Sequence, residues 1–117
     1  MGFKFEQLDV WKESIDFGFL IHELTRLFPK EELFILTTQM KRASDSIALN
    51  IAEGSTGQTN LEFKKFLSYA IRSGVEVVSC LHIAKKRKLI HEKQFEVLYQ
   101  QLEQLIIKIQ ALRKSIR

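Results

Sequence analysis

Leu36-Thr37-Thr38-Gln39-Met40-Lys41-Arg42-Ala43-Ser44-Asp45-Ser46-Ile47-Ala48-Leu49-Asn50-Ile51-Ala52-Glu53-Gly54 is the stretch that decides the fold class. Leu36, Met40, Ala43, Ile47 and Ile51 recur at steps of three and four, which puts them on one face of an α-helix opening near Thr37. Ser44, Ser46, Ala48, Asn50 and Ala52 beside them are small or polar, so a partner helix can approach closely. Gly54 closes the segment, and the sequence predicts that it supplies the left-handed turn that commonly ends a helix.

The same periodicity holds on both sides. A first helix is predicted from Leu8 or Asp9 to Phe28, with Asp9 as its N-cap. Leu8, Trp11 and Ile15 begin its apolar face, and Phe17, Leu20, Ile21, Leu24 and Phe28 continue it. Pro29 is expected to stop that helix, and residues 29–36 to form a connector with one short helical turn. After a polar loop from Ser55 to Asn60, Thr59-Asn60-Leu61-Glu62 reads as a capping box. Phe63, Phe66, Leu67, Ala70, Gly74, Val77, Leu81 and Ala84 follow as a third apolar stripe, closed by Lys85-Lys86-Arg87-Lys88. Beyond Leu89-Ile90-His91, the series Phe95, Leu98, Leu102, Leu105, Ile109, Leu112 and Ile116 is a heptad seam.

Four amphipathic helices with short connections imply an all-α, antiparallel up-down-up-down four-helix bundle. A single domain over 1–117 is expected, because 117 residues bury one core and are too few for two. A third helix of about 28 residues spans about 40 Å, so the bundle should be elongated. Its core is predicted to contain Trp11, Leu24, Ile47, Ile51, Phe63, Leu67, Leu81, Leu98, Leu102 and Ile109. Five Gly and one Pro leave little room for a turn-rich sandwich or barrel. Cys80, the only cysteine, cannot form an internal disulfide, which fits a reducing compartment. Met1 to Glu6 lacks a long apolar segment, and no apolar run approaches the roughly 18 residues needed to span a bilayer. A cytoplasmic protein is expected.

The chemistry of bundle enzymes is missing from the pattern. A ferritin-like metal site needs Glu-x-x-His pairs, and no Glu here stands three residues before a His. His22, His82 and His91 share no spacing. Cys-x-x-Cys, a glycine-rich phosphate loop and a nucleophile elbow are absent from the sequence. Cys80 and His82, two apart on a helix, point about 160° apart, which favours a buried structural thiol over a nucleophile–base pair. No enzymatic activity, metal or cofactor is expected.

Charge leaves two function classes open. The net charge of +4 permits attraction to phosphate polymers. Candidate contacts are Lys41, Arg42, Lys64, Lys65, Arg72, Lys85, Lys86, Arg87 and Lys88. The run Lys85–Lys88 fits a phosphate patch and equally fits cations complementing a helix C-terminus. No aromatic residues interleave with these cations as stacking platforms, so contacts to RNA or DNA backbone are expected, with little base readout. Arg42, Asn50, Glu53, Ser73 and Glu76 lie beside apolar seams and are expected to form inter-helix hydrogen bonds or an ion pair that sets bundle register. Ile71, Val75, Ile83, Val97 and Ile107 lie off the seams and suggest a second buried surface between subunits.

Several of these residues, in order, carry a resemblance. Leu8-Asp9-Val10-Trp11, Leu24-Thr25, Phe28-Pro29-Lys30-Glu31-Glu32, Leu36-Thr37-Thr38-Gln39, Lys41-Arg42, Ser46-Ile47, Asn50-Ile51-Ala52-Glu53-Gly54, Glu62-Phe63 and Phe66-Leu67 together resemble the bacterial four-helix-bundle proteins encoded in intervening sequences of 23S ribosomal RNA genes. The resemblance implies a ring-forming homo-oligomer, typically a pentamer. It also implies kinship with the accessory protein of diversity-generating retroelements, which binds nucleic acid and a reverse transcriptase through a basic surface. Two departures stand out. Ser55-Thr56-Gly57-Gln58 replaces a loop that is often basic, and Arg72-Ser73-Gly74 places the mid-helix glycine two positions late. The expected function is a non-enzymatic, homo-oligomeric binding or scaffold protein with RNA or DNA as ligand. The alternative is a protein–protein adaptor with no nucleic-acid role.

Overall fold

Side-chain caps start the two C-terminal helices. In the computed structural model, which describes residues 2–117, Thr59 Oγ1 accepts the Glu62 backbone N–H at 3.0 Å and opens a helix over Asn60–Lys86. Glu62 does not reach back to complete the expected box; its carboxylate lies against Gly57. The following helix, Glu92–Ser115, does have a full capping box. His91 Nδ1 accepts the Gln94 N–H at 3.3 Å, and Gln94 Oε1 accepts the His91 N–H at 3.0 Å.

The first two helices span Asp9–Thr25 and Thr38–Ser55. In chain order the four are α1, α2, α3 and α4, and among the described residues there is no strand. Leu8, not Asp9, occupies the cap position of α1, and Asp9 is its first residue, where its negative charge suits the helix dipole. α1 ends at Thr25, short of the expected Phe28; residues 26–28 turn away, with the Phe28 N–H on the Thr25 carbonyl at 3.0 Å. The connector holds one 3-10 turn, Lys30–Glu32, and a π-type turn, Leu33–Thr37, that runs straight into α2.

The helices pack into a bundle 43 Å long and 22 Å across. Ile47, Ile51, Phe63, Leu67, Leu81, Leu98, Leu102 and Ile109 are buried as expected. Trp11 and Leu24 only lean on the core, and Ile15 and Leu20 are exposed. The buried line of α1 is instead Val10, Ser14, Phe17, Gly18, Ile21 and Thr25. Small residues at Ser14 and Gly18 let α1 lie close to α2; a Cβ on Gly18 would stand 3.2 Å from Asp45 Oδ1. The two buried hydroxyls cost little because they donate within the helix, Ser14 to the Val10 carbonyl at 2.6 Å and Thr25 to the Ile21 carbonyl at 3.0 Å.

Gly54 has a different role from the expected one. It lies inside α2, and no glycine has positive φ among the described residues. A Cβ there would stand 2.5 Å from Phe66 Cβ and 3.2 Å from Phe63 Cδ1, so the glycine is the contact point of α2 with α3. Gly74 plays the same part toward α4, since a Cβ would meet Ile106 at 3.0 Å. The left-handed residue is Lys88, φ 60°, just past α3. The Leu89 N–H bonds the Ala84 carbonyl at 2.9 Å and the Lys88 N–H bonds that of Lys85 at 3.0 Å. This is a Schellman end with lysine in the position glycine usually takes.

Candidate nucleic-acid interface

The candidate cations separate once folded. Lys41 and Arg42 are neighbours in sequence but turn about 100° apart on a helix. Lys41 lines a groove between α1 and α2, whereas Arg42 lines a cleft between α2 and α3. They do not form one basic face.

The Lys85–Lys88 run is largely committed to the fold. Lys85 Nζ lies 3.6 Å from Glu92 and 4.1 Å from the centre of the Phe95 ring, tying the end of α3 to the start of α4. Arg87 Nη1 donates to Glu32 at 3.1 and 3.3 Å, holding the connector against the end of α3. Lys88 forms the Schellman turn. Lys86 remains exposed and without an ion pair among the described residues.

The outer face of α3 is different. Lys65, Arg72 and Lys86 are exposed, and steps of 7 and 14 residues keep them on one side of the helix. Lys64 is half-buried. Arg72 shares a cleft of about 630 Å³ with Arg113 and Lys114 of α4. Ser68, Ile71, Ile107, Gln110 and Ala111 complete its lining, and no carboxylate is present. Arg113 Nε donates to Ser68 Oγ at 2.7 Å, which fixes its guanidinium at the mouth of the cleft. Arg113 and Lys114 were not among the sequence candidates. Their signal was available: both lie in the last turn of α4, and an up-down bundle brings that end beside the start of α3.

The polar residues at the α2–α3 boundary meet in pairs. Ser73 Oγ donates to Ser46 Oγ at 3.0 Å, and Gln39 Nε2 donates to Glu76 Oε2. Asn50 bonds within its own helix, to the carbonyl and hydroxyl of Ser46 at 2.8 and 2.9 Å. Arg42 and Glu53 have no ion pair among the described residues. Cys80 is buried, and burial, with the Glu76 carboxylate adding to it, pushes the thiol pKa up. His82 is on the other side of α3, stacked edge-on against Phe95 at 4.9 Å. No group of three or more His, Cys, Asp or Glu among the described residues could hold a metal ion. No helix of the described residues is long and apolar enough to cross a membrane.

Of the off-seam apolar residues, Val75, Ile83, Val97 and Ile107 are exposed, while Ile71 packs half-buried against the core. Ile71 and Ile107 flank the basic cleft. Larger exposed apolar side chains occur elsewhere: Phe19 and Leu49 at 63% and 67%, beside the α1–α2 groove, and Phe34 at 89%, in the connector. The same off-seam test, applied to α1 and α2, would have found the first two.

A crystal structure of a protein of unknown function from the S23 ribosomal protein family of Bacteroides thetaiotaomicron has this fold, with a TM-score of 0.84. The two chains are 23% identical, and the match covers 90% of this chain and 95% of that one. No curated protein sequence matches the chain. The model of the 23S rRNA-intervening sequence protein family matches residues 6–111, nearly the whole bundle, and the chain belongs to that family.

Proposed function

We propose that this protein is a non-enzymatic binding module that grips the sugar–phosphate backbone of RNA or DNA along α3 and the C-terminal turn of α4. The observation that carries the reading is the α3–α4 cleft, where Arg72, Arg113 and Lys114 converge with no carboxylate in the lining. The grooves between α1 and α4, between α1 and α2, and between α2 and α3 each contain acidic residues. Lys65 and Lys86 extend the cleft's charge along α3. Against the expectation that no aromatic interleaves with the cations, the Tyr69 ring lies between Lys65 and Arg72, with the Lys65 ammonium 5.9 Å from its centre. Contacts through the charged side chains make binding sequence-tolerant and dominated by counterion release. The module acts as a cyclic homo-oligomer, a pentamer in the first instance, so that each weak contact is repeated once per subunit.

Anisotropy titrations of generic RNA and DNA over a salt series test this. Affinity should fall steeply with salt, and the double variant Arg72→Glu/Lys114→Glu should lower affinity for every sequence and flatten the salt slope by roughly one per lost phosphate contact. Charge reversal at Lys85 and Arg87 should do less, because both are held by the fold. If the unmodified protein retains neither polymer at low salt, the adaptor reading takes its place.

A further inference from the structure

Two exposed apolar features of opposite shape lie on one chain. The first is concave. Between α1 and α2, Ile15, Phe19, Leu49 and Ala52 line a groove of about 810 Å³. Its ionic rim is mostly self-neutralised: His22 lies 3.1 Å from Asp45, and Arg26 lies 3.1 Å from Glu23. Lys41 lines the same groove without an ion pair among the described residues.

The second feature is convex. The connector presents Leu27, Leu33, Phe34 and Ile35, with Leu27 80% and Phe34 89% exposed. The connector is held rigidly: the Arg87–Glu32 pair ties it to the end of α3, and Leu36 and Thr37 are buried just beyond it. Glu31, on the same knob, is exposed and without an ion pair among the described residues.

We infer that the occupant of the α1–α2 groove is the Leu33–Phe34–Ile35 knob of a second copy of this chain. Three observations support a second copy. The knob does not enter its own groove, since Phe34 and Phe19 are both exposed in the single chain. The charges left over complement each other, Glu31 on the knob and Lys41 in the groove. The areas also fit. A fully exposed phenylalanine presents about 200 Å², so each patch offers on the order of 400 Å² of apolar surface, large enough to mark an interaction site. In a closed ring each contact pairs one knob with one groove, so it buries about 400 Å² per partner, roughly 800 Å² in total, which is the size of a weak interface that the ring repeats once per subunit. Because groove and knob are different surfaces, the contact is heterologous, and its repetition closes a ring or extends a chain.

This inference rests on the homo-oligomeric part of the proposed function, and the test separates the two. Light scattering on the full chain reports mass, and circular dichroism confirms that each variant is folded; both substituted side chains are solvent-exposed. Phe34→Asp and Leu49→Asp should each reduce the protein to the 13.7 kDa of one chain. Mixing the two variants should restore a 1:1 pair, because the first retains an intact groove and the second an intact knob. A Phe34→Asp/Leu49→Asp double variant, mixed with either single, should remain monomeric. If both singles are monomeric and their mixture stays so, the contact is not knob-into-groove. If either single keeps the parent's mass, its patch is not the interface, while self-association stands. A monomeric parent at 100 micromolar (on the order of the concentrations at which weak oligomers persist) overturns both.

Discussion

Between α2 and α3 the backbones touch at Gly54, and Ser46 meets Ser73 across the seam. Between α1 and α4 a cleft of about 400 Å³ remains, bordered by Glu13, Asp16 and three glutamines. Glu13 and Lys108 span that boundary at 2.8 Å, with both side chains about half exposed. One seam is held by the absence of side chains and by dispersion at short range. The other has Phe17 and Leu105 at its base, and across its open cleft only long polar side chains whose attraction is screened. The difference teaches that a four-helix bundle need not be equally tight on all sides. A chain can concentrate packing in its central hairpin and leave the pair formed by its outer helices loose.

Gly54→Ala should break the contrast most strongly. The new methyl meets Phe66 at its Cβ, an atom fixed to the backbone, so the helices must part; a loss of about 3 kcal/mol is expected. Urea denaturation measures it, and a midpoint equal to that of the parent would mean that the seam is not close-packed at Gly54. Ser73→Ala removes one partly buried hydrogen bond and should cost about 1 kcal/mol. Ser46 keeps a donor in Asn50, which limits the damage. Glu13→Gln, at the loose seam, should cost about 0.5 kcal/mol or less, because an exposed ion pair is worth little. Its effect should vanish in molar salt, and a larger loss would show that the α1–α4 boundary is tighter than its cleft implies.

Much of this was legible in the sequence. The stripes of α3 and α4 are regular, and the buried residues fall on them. α1 was harder, because Ile15, Phe19 and Leu20 make its apolar side so broad that periodicity does not choose a face. Ser14 and Gly18 choose it, by their size. Gly54 was placed correctly at the end of a helix but for the wrong reason; a glycine there serves a left-handed turn or a close approach, and only Phe66 distinguishes them. His91 was weighed only as a metal ligand, although Gln94 three residues later was the sign of a capping box. Of the three cations in the α3–α4 cleft only Arg72 was among the sequence candidates, and its grouping with Arg113 and Lys114 was not foreseen. The Arg87–Glu32 pair joins positions 55 apart, and no local pattern shows which cations the fold has already claimed.

The loop at residues 56–59 between α2 and α3 has a kinetic consequence. A four-residue loop closes with little loss of chain entropy, whereas Glu13 and Lys108 must find each other across 95 positions. The five-residue link from α3 to α4 closes nearly as easily. It is therefore the close approach at Gly54 that makes the α2–α3 hairpin the natural folding nucleus, with α1 and α4 docking onto it. The chain assembles from its middle outward, and its last seam to close is also the first to reopen.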